Sequence, residues 1–89
     1  MERKDYIDRF FDALLTLKTR EEYYDFFEDA CTPKEVMAIA QRFAVAEMLN
    51  NKRVYADIVE ETGASTATIS RVSRSMNKGF KTVFERLEK

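Results

Sequence analysis

The sequence predicts an all-α fold, and three observations predict it. Helix breakers are scarce, with one Pro and two Gly in 89 residues. Apolar residues recur at helical spacing through most of the chain. Capping patterns stand where the periodic runs begin, the plainest being Thr32-Pro33-Lys34-Glu35. The length is that of a single domain, residues 1–89.

The first helix is expected from about Lys4 to Lys18, because Ile7, Phe10, Phe11, Leu14 and Leu17 fall on one face. Thr19 and Glu22 have capping-box spacing and start a second helix carrying Tyr23, Phe26, Phe27 and Ala30. In the third, Thr32 is the N-cap, Pro33 fits the first helical position and Glu35 closes the box. That helix should run to Asn50 or Asn51. Val36, Met37, Ile39, Ala40, Phe43, Ala44, Val45, Ala46, Met48 and Leu49 cover most of its circumference, so it should be buried on several sides. A short helix follows at about Val54–Thr62, then a turn at Gly63-Ala64-Ser65. Another helix is expected from about Thr66 to Met76, with Ser65 as its N-cap, broken by Asn77-Lys78-Gly79. Phe80, Val83, Phe84 and Leu87 form the inner stripe of a last helix, about residues 80–88.

Composition limits the function. The chain is 45% hydrophobic, with seven Phe, four Tyr and four Met, more than one small core can absorb. A homodimer that shares the core is therefore expected. With one Cys and no His, an intrachain disulfide and a Cys/His zinc site are both out of reach. Cys31 reads as a small apolar residue. No metal or cofactor is called for. There is no Cys–His pair, no Gly-rich phosphate loop and no supported carboxylate pair, so an enzyme is not expected. No apolar run is long enough for a membrane span, and Met1-Glu2-Arg3-Lys4-Asp5 does not open a signal peptide. The expected compartment is the cytoplasm.

Net charge is only -1, but its distribution is uneven. Residues 1–30 are acid-rich. Between Thr62 and Phe84 there is no Asp or Glu, while Arg71, Arg74, Lys78 and Lys81 fall inside. Taken alone, that stretch reads equally well as a solvated basic helix face. The stretch from Tyr55 to Met76, however, has the parts of a helix-turn-helix, which places the motif at about residues 55–77. Ile58 and Val59 are expected to anchor its first helix, and Ile69 and Val72 its second. Gly63 stands where the turn needs a left-handed residue. The outer face is then Ser65, Thr66, Thr68, Ser70, Arg71 and Arg74, with Lys78 just beyond. Short hydroxyls suit close approach to DNA, arginine suits bidentate contact with guanine or phosphate, and a helix N-terminus offers amides to a phosphate. Ser-Thr-Ala-Thr-Ile-Ser-Arg-Val-Ser-Arg-Ser, residues 65–75, has poor helix propensity, which suggests a surface kept for contact. These residues predict binding to double-stranded DNA. A structural helical hairpin is the plain alternative.

The chain resembles the Trp repressor superfamily, and within it the short YerC/YecD-like Trp-repressor-related proteins. The resemblance rests on Thr32-Pro33-Lys34-Glu35, Gln41-Arg42 and Gly63-Ala64-Ser65-Thr66-Ala67-Thr68-Ile69-Ser70-Arg71, and is strongest from Cys31 to Met76. It implies a six-helix bacterial subunit in an interwoven dimer, with two recognition helices set for successive major grooves of a pseudo-palindromic operator. It also implies where an effector would bind. Thr32 matches a residue at the edge of the family's tryptophan pocket, and Arg42 and Arg71 match the two arginines that flank the ligand. Each also has a plainer role: Thr32 as a cap, Arg42 as a solvent-facing residue, Arg71 as a direct DNA contact. Val72 replaces the glycine that leaves room for the indole in tryptophan-binding members. Overpacking of this kind costs about 1–3 kcal/mol, or about 5- to 150-fold in affinity. The linker before the motif is also one residue shorter by this resemblance. L-tryptophan is therefore disfavoured as corepressor, and a different, smaller effector stays open. The function expected is a dimeric DNA-binding transcriptional regulator, a repressor by occupancy. The alternative is a helical protein-interaction module that no longer touches DNA.

Overall fold

The computed structural model describes residues 2–88. Among them are six helices and no strand: α1 (Arg3–Leu14), α2 (Arg20–Ala30), α3 (Pro33–Asn50), α4 (Tyr55–Thr62), α5 (Thr66–Ser73) and α6 (Gly79–Leu87). The all-α expectation is met. No helix among the described residues is long and apolar enough to cross a membrane. The chain divides into two compact units at the junction of Pro33 and Lys34.

The first unit carries α1 and α2. α1 ends four residues short of the predicted Lys18. The Thr16 hydroxyl donates to the Ala13 carbonyl at 2.7 Å, and the Lys18 amide donates to the Glu22 carboxylate, also at 2.7 Å. The cap of the next helix thus claims the residues that would have continued the first. Thr19 is that cap, as its spacing predicts: its hydroxyl accepts from the Glu22 amide at 3.2 Å, and Glu22 accepts from the Thr19 amide at 3.2 Å. Phe10, Phe26 and Phe27 cluster with ring centroids 5.5–6.5 Å apart, and Phe11 lies 5.8 Å from Phe10. Yet no residue of α1 or α2 is buried. Tyr24 is 70% exposed and Leu15 82%.

The second unit has a core. Val45 and Ala46 of α3, Ile58 of α4, Ala64 of the turn, Ile69 and Val72 of α5, and Phe84 of α6 are all buried. Phe43, Met48, Leu49, Met76 and Phe80 pack around them. Phe84 sits at 5.5 Å from Phe43 and stacks on Phe80 at 6.1 Å. Of α3, within one chain only Val45 and Ala46 are enclosed, and Val36, Met37 and Ile39 stay exposed.

α3 ends in a left-handed residue that is not glycine. Lys52 has φ +64°, its amide donates to the Leu49 carbonyl, and the Arg53 amide donates to the Met48 carbonyl, both at 3.0 Å. This is the paired bonding of a Schellman cap. Arg53 then turns back along α4. Its guanidinium hydrogen-bonds Glu61 and lies 3.9 Å from Asp57. The bond to Glu61 first, and the charges of Glu61 and Asp57 after it, hold the guanidinium pKa above its ordinary value.

Candidate nucleic-acid interface

The helix-turn-helix is built from α4, a three-residue turn and α5. α4 ends where Gly63 adopts φ +74°, with its amide donating to the Val59 carbonyl at 2.9 Å. The Thr62 hydroxyl donates to the Ile58 carbonyl at 2.7 Å and accepts from the Ala64 amide at 3.1 Å. Ala64 is buried, which draws the turn onto the core. From the scaffold side, the Gln41 amide of α3 donates to the Thr62 carbonyl at 2.8 Å.

Ser65 caps α5. Its hydroxyl accepts from the Thr68 amide and donates to the Thr68 hydroxyl, each at 3.1 Å. Ile69 and Val72 are buried, as predicted for the anchors of this helix. The matching expectation for α4 holds only in part: Ile58 is buried, but Val59 is 36% exposed. Successive residues on a helix point about 100° apart, and here Ile58 faces the core while Val59 falls at its edge.

The predicted contact residues do not all share one surface. Thr66, Ser70, Arg71 and Arg74 fall on one side of α5, opposite Ile69 and Val72. Thr66, Arg71 and Arg74 are exposed and Ser70 is half-buried. Ser65 and Thr68 lie toward the inner flank with their hydroxyls engaged in the cap. Ala67, which side-chain chemistry did not mark, is exposed between Thr66 and Arg71. Its signal in the sequence is positional: a small residue in the first turn of a recognition helix lets the backbone come close to a partner.

α5 is shorter than the predicted Thr66–Met76. It ends at Ser73, and Arg74 is its C-cap. The Ser75 hydroxyl donates to the Arg71 carbonyl at 3.2 Å, and the Ser75 amide donates to the Val72 carbonyl at 2.9 Å. Hydroxyl back-bonding of this kind competes with helix continuation. Lys78 is exposed, at the N-cap of α6, after the break predicted at residues 77–79.

The electrostatics separate the two helices of the motif. Among the described residues both salt bridges belong to Arg53, which neutralises acids of α4. Among the described residues, Arg71, Arg74, Lys78 and Lys81 form no salt bridge. A cationic face is therefore left open on α5 and just beyond it.

Of the residues matched to an effector pocket, Arg42 is exposed on α3, Arg71 is exposed on α5, and Thr32 is exposed just before α3. Val72 is 5% exposed and belongs to the core. No group of three or more His, Cys, Asp or Glu side chains among the described residues is arranged to hold a metal.

These features define an all-α helix-turn-helix protein with a capped, cationic second helix. The Trp repressor protein family model matches residues 5–89, and the chain belongs to that family. It is 52% identical over 73 residues to the uncharacterized protein YerC of Bacillus subtilis, a match covering 82% of this chain and 70% of that protein. A TrpR-like protein from Eubacterium eligens superposes with a TM-score of 0.91 at 53% identity, covering 97% of this chain and 92% of that one. A candidate Trp repressor from Staphylococcus aureus superposes with a TM-score of 0.89 at 46% identity, covering 94% and 87%.

Proposed function

We propose that this protein is a sequence-specific DNA-binding transcriptional regulator that acts as a homodimer on a pseudo-palindromic operator, without tryptophan as corepressor. The observation that carries this reading is the outer face of α5, where Arg71 and Arg74 stand exposed beside Thr66 and Ala67, without an acidic partner among the described residues. Arg71, Arg74 and Lys78 supply phosphate or guanine contacts, and Thr66 and Ser70 fix the helix against base edges. Ser65 and Thr68 present the helix N-terminus, whose amides suit a phosphate.

The homodimer is supported by the first unit. A helical pair with four Phe and no buried residue has its apolar surface left over for a second copy. The second unit has exposed apolar residues of its own, Met37 and Ile39 of α3. Repression by occupancy follows from the same arrangement, since a bound dimer covers about one turn of DNA between its half-sites.

The case against tryptophan rests on Val72, whose side chain fills the inner side of α5 rather than leaving space there. A regulator responding to a smaller effector through Arg42 and Arg71 is the second reading, favoured by the exposure of both guanidinium groups.

Selection from a pool of random duplex DNA, with and without L-tryptophan, tests the proposal. The expected result is an enriched two-fold-related motif that is the same in both conditions. No enrichment in either would overturn the operator-binding reading and leave a protein-interaction role. Enrichment only with tryptophan would overturn the assignment of Val72.

A further inference from the structure

We propose that Gln41 is a positioning residue for sequence recognition: its hydrogen bond to the Thr62 carbonyl sets the angle at which α5 is presented to DNA. The proposal rests on the DNA-binding reading above and names the residue that converts binding into selectivity.

Thr62 is the last residue of α4, and its carbonyl is one of the four at a helix end with no partner inside the helix. The other bonds that close this turn are local. Gly63 donates to Val59, Ala64 donates to the Thr62 hydroxyl, and that hydroxyl donates to Ile58. All of them travel with the motif if it tilts. The Gln41 bond is different, because its donor stands on α3, 21 residues away in sequence, and is part-buried. The remaining ties from α3 to the motif within the core are apolar, from Val45 and Ala46 toward Ile58, Ile69 and Val72. Apolar burial is non-directional, so it holds the helices together but constrains their rotation less sharply than a bond of defined angle. A hydrogen bond loses strength steeply with angle, so it is such a bond.

The lever is short. Thr66, the first outward residue of α5, is four residues beyond Thr62, and the turn between them pivots at Gly63. The Gln41 amide nitrogen also lies 4.0 Å from where a Gly63 Cβ would stand, so it backs the pivot itself. Base-edge contacts tolerate little misplacement, whereas phosphate contacts from long flexible arginines tolerate more. A small tilt of α5 therefore removes selectivity before it removes affinity for DNA in general.

The experiment compares the wild type with Gln41→Met, which keeps length and removes the donor. Affinity is measured for the selected motif and for a scrambled duplex, across a salt series. The expected result is about a tenfold loss on the motif, with scrambled-duplex affinity within about twofold and an unchanged salt slope. A purely structural role would instead lower both affinities together with the melting temperature. That outcome, or an unchanged ratio of motif to scrambled affinity, overturns the proposal. Should Gln41→Met fail to melt cooperatively, Gln41→Asn carries the same comparison, since its amide is one methylene short of the Thr62 carbonyl. A wild type with no sequence preference sinks the DNA-binding reading and this proposal with it. A selective wild type matched by an equally selective Gln41→Met sinks this proposal alone.

Discussion

Ser65 and Thr68 close the start of the recognition helix by two bonds of equal length. The Ser65 hydroxyl accepts the Thr68 amide at 3.1 Å and donates to the Thr68 hydroxyl at 3.1 Å. Removing the cap in Ser65→Ala should cost about 1 kcal/mol, lowering the melting temperature by about 4–8 °C for a domain of this size. Ser65→Asp keeps a capping oxygen and favours the helix dipole. It should melt near the wild type yet bind DNA less tightly at low salt, because it sets a carboxylate beside the phosphates. Thermal melts paired with DNA titrations separate the two effects.

Lys52 and Gly63 hold left-handed backbone at φ +64° and +74°, and substitutions there should act with opposite signs. Lys52→Gly relieves a side chain from a conformation that L-residues resist, and should stabilise by about 0.5–1 kcal/mol. Gly63→Ala should destabilise by about 1–2 kcal/mol. No steric clash adds to that figure, since the nearest atom to an added Cβ is the Gln41 side-chain nitrogen at 4.0 Å. Urea denaturation of both variants checks the signs and sizes.

Arg71 is exposed and without a salt bridge among the described residues, so Arg71→Ala should leave folding within about 0.5 kcal/mol of the wild type. Its effect should fall on DNA. If it neutralises one phosphate, the slope of log K against log salt should become shallower by about 0.9. A contact to guanine would instead relax selectivity at one base pair of the motif. A salt series on the selected duplex and on single-base variants distinguishes these.

Val72 closes the inner side of α5. Millimolar L-tryptophan should therefore leave the wild-type melting temperature unchanged, since a ligand that binds only the folded state would raise it. Val72→Gly should lose about 2–4 kcal/mol, from the vacated volume and from glycine within a helix. If the space is sufficient for the indole, tryptophan will recover part of that loss. Differential scanning fluorimetry of both proteins, with and without the amino acid, reads the result.

Much of the second unit was legible because its signals are local. Thr32-Pro33, Gly63 and Ser65 mark helix boundaries through their own backbone preferences, and α3, the turn and the start of α5 fall where those residues put them. Boundaries set by competition were harder to read. α1 stops early because Glu22, from the next helix, takes the Lys18 amide, and α5 stops early because Ser75 bonds back to Arg71. On the recognition helix, composition alone grouped Ser65 and Thr68 with Thr66 and Arg71. Ser65 was also legible as the N-cap, but only the hydrogen bonds place Thr68 in the cap with it. Gln41 was visible as part of a family-like Gln-Arg pair, but its partner is a backbone carbonyl, which no residue type announces.

The aromatic pair of helices at the start of the chain also has a bearing on synthesis. Phe10, Phe11, Phe26 and Phe27 leave the ribosome before any of the buried residues of the second unit. At about 5–20 residues per second, Phe84 follows Phe27 by roughly 3–11 s. During that interval the nascent segment displays a phenylalanine strip with no core of its own to enter. Chaperones and proteases therefore meet this region before the second unit is complete, and substitutions there should alter cellular abundance more than they alter the behaviour of purified, folded protein.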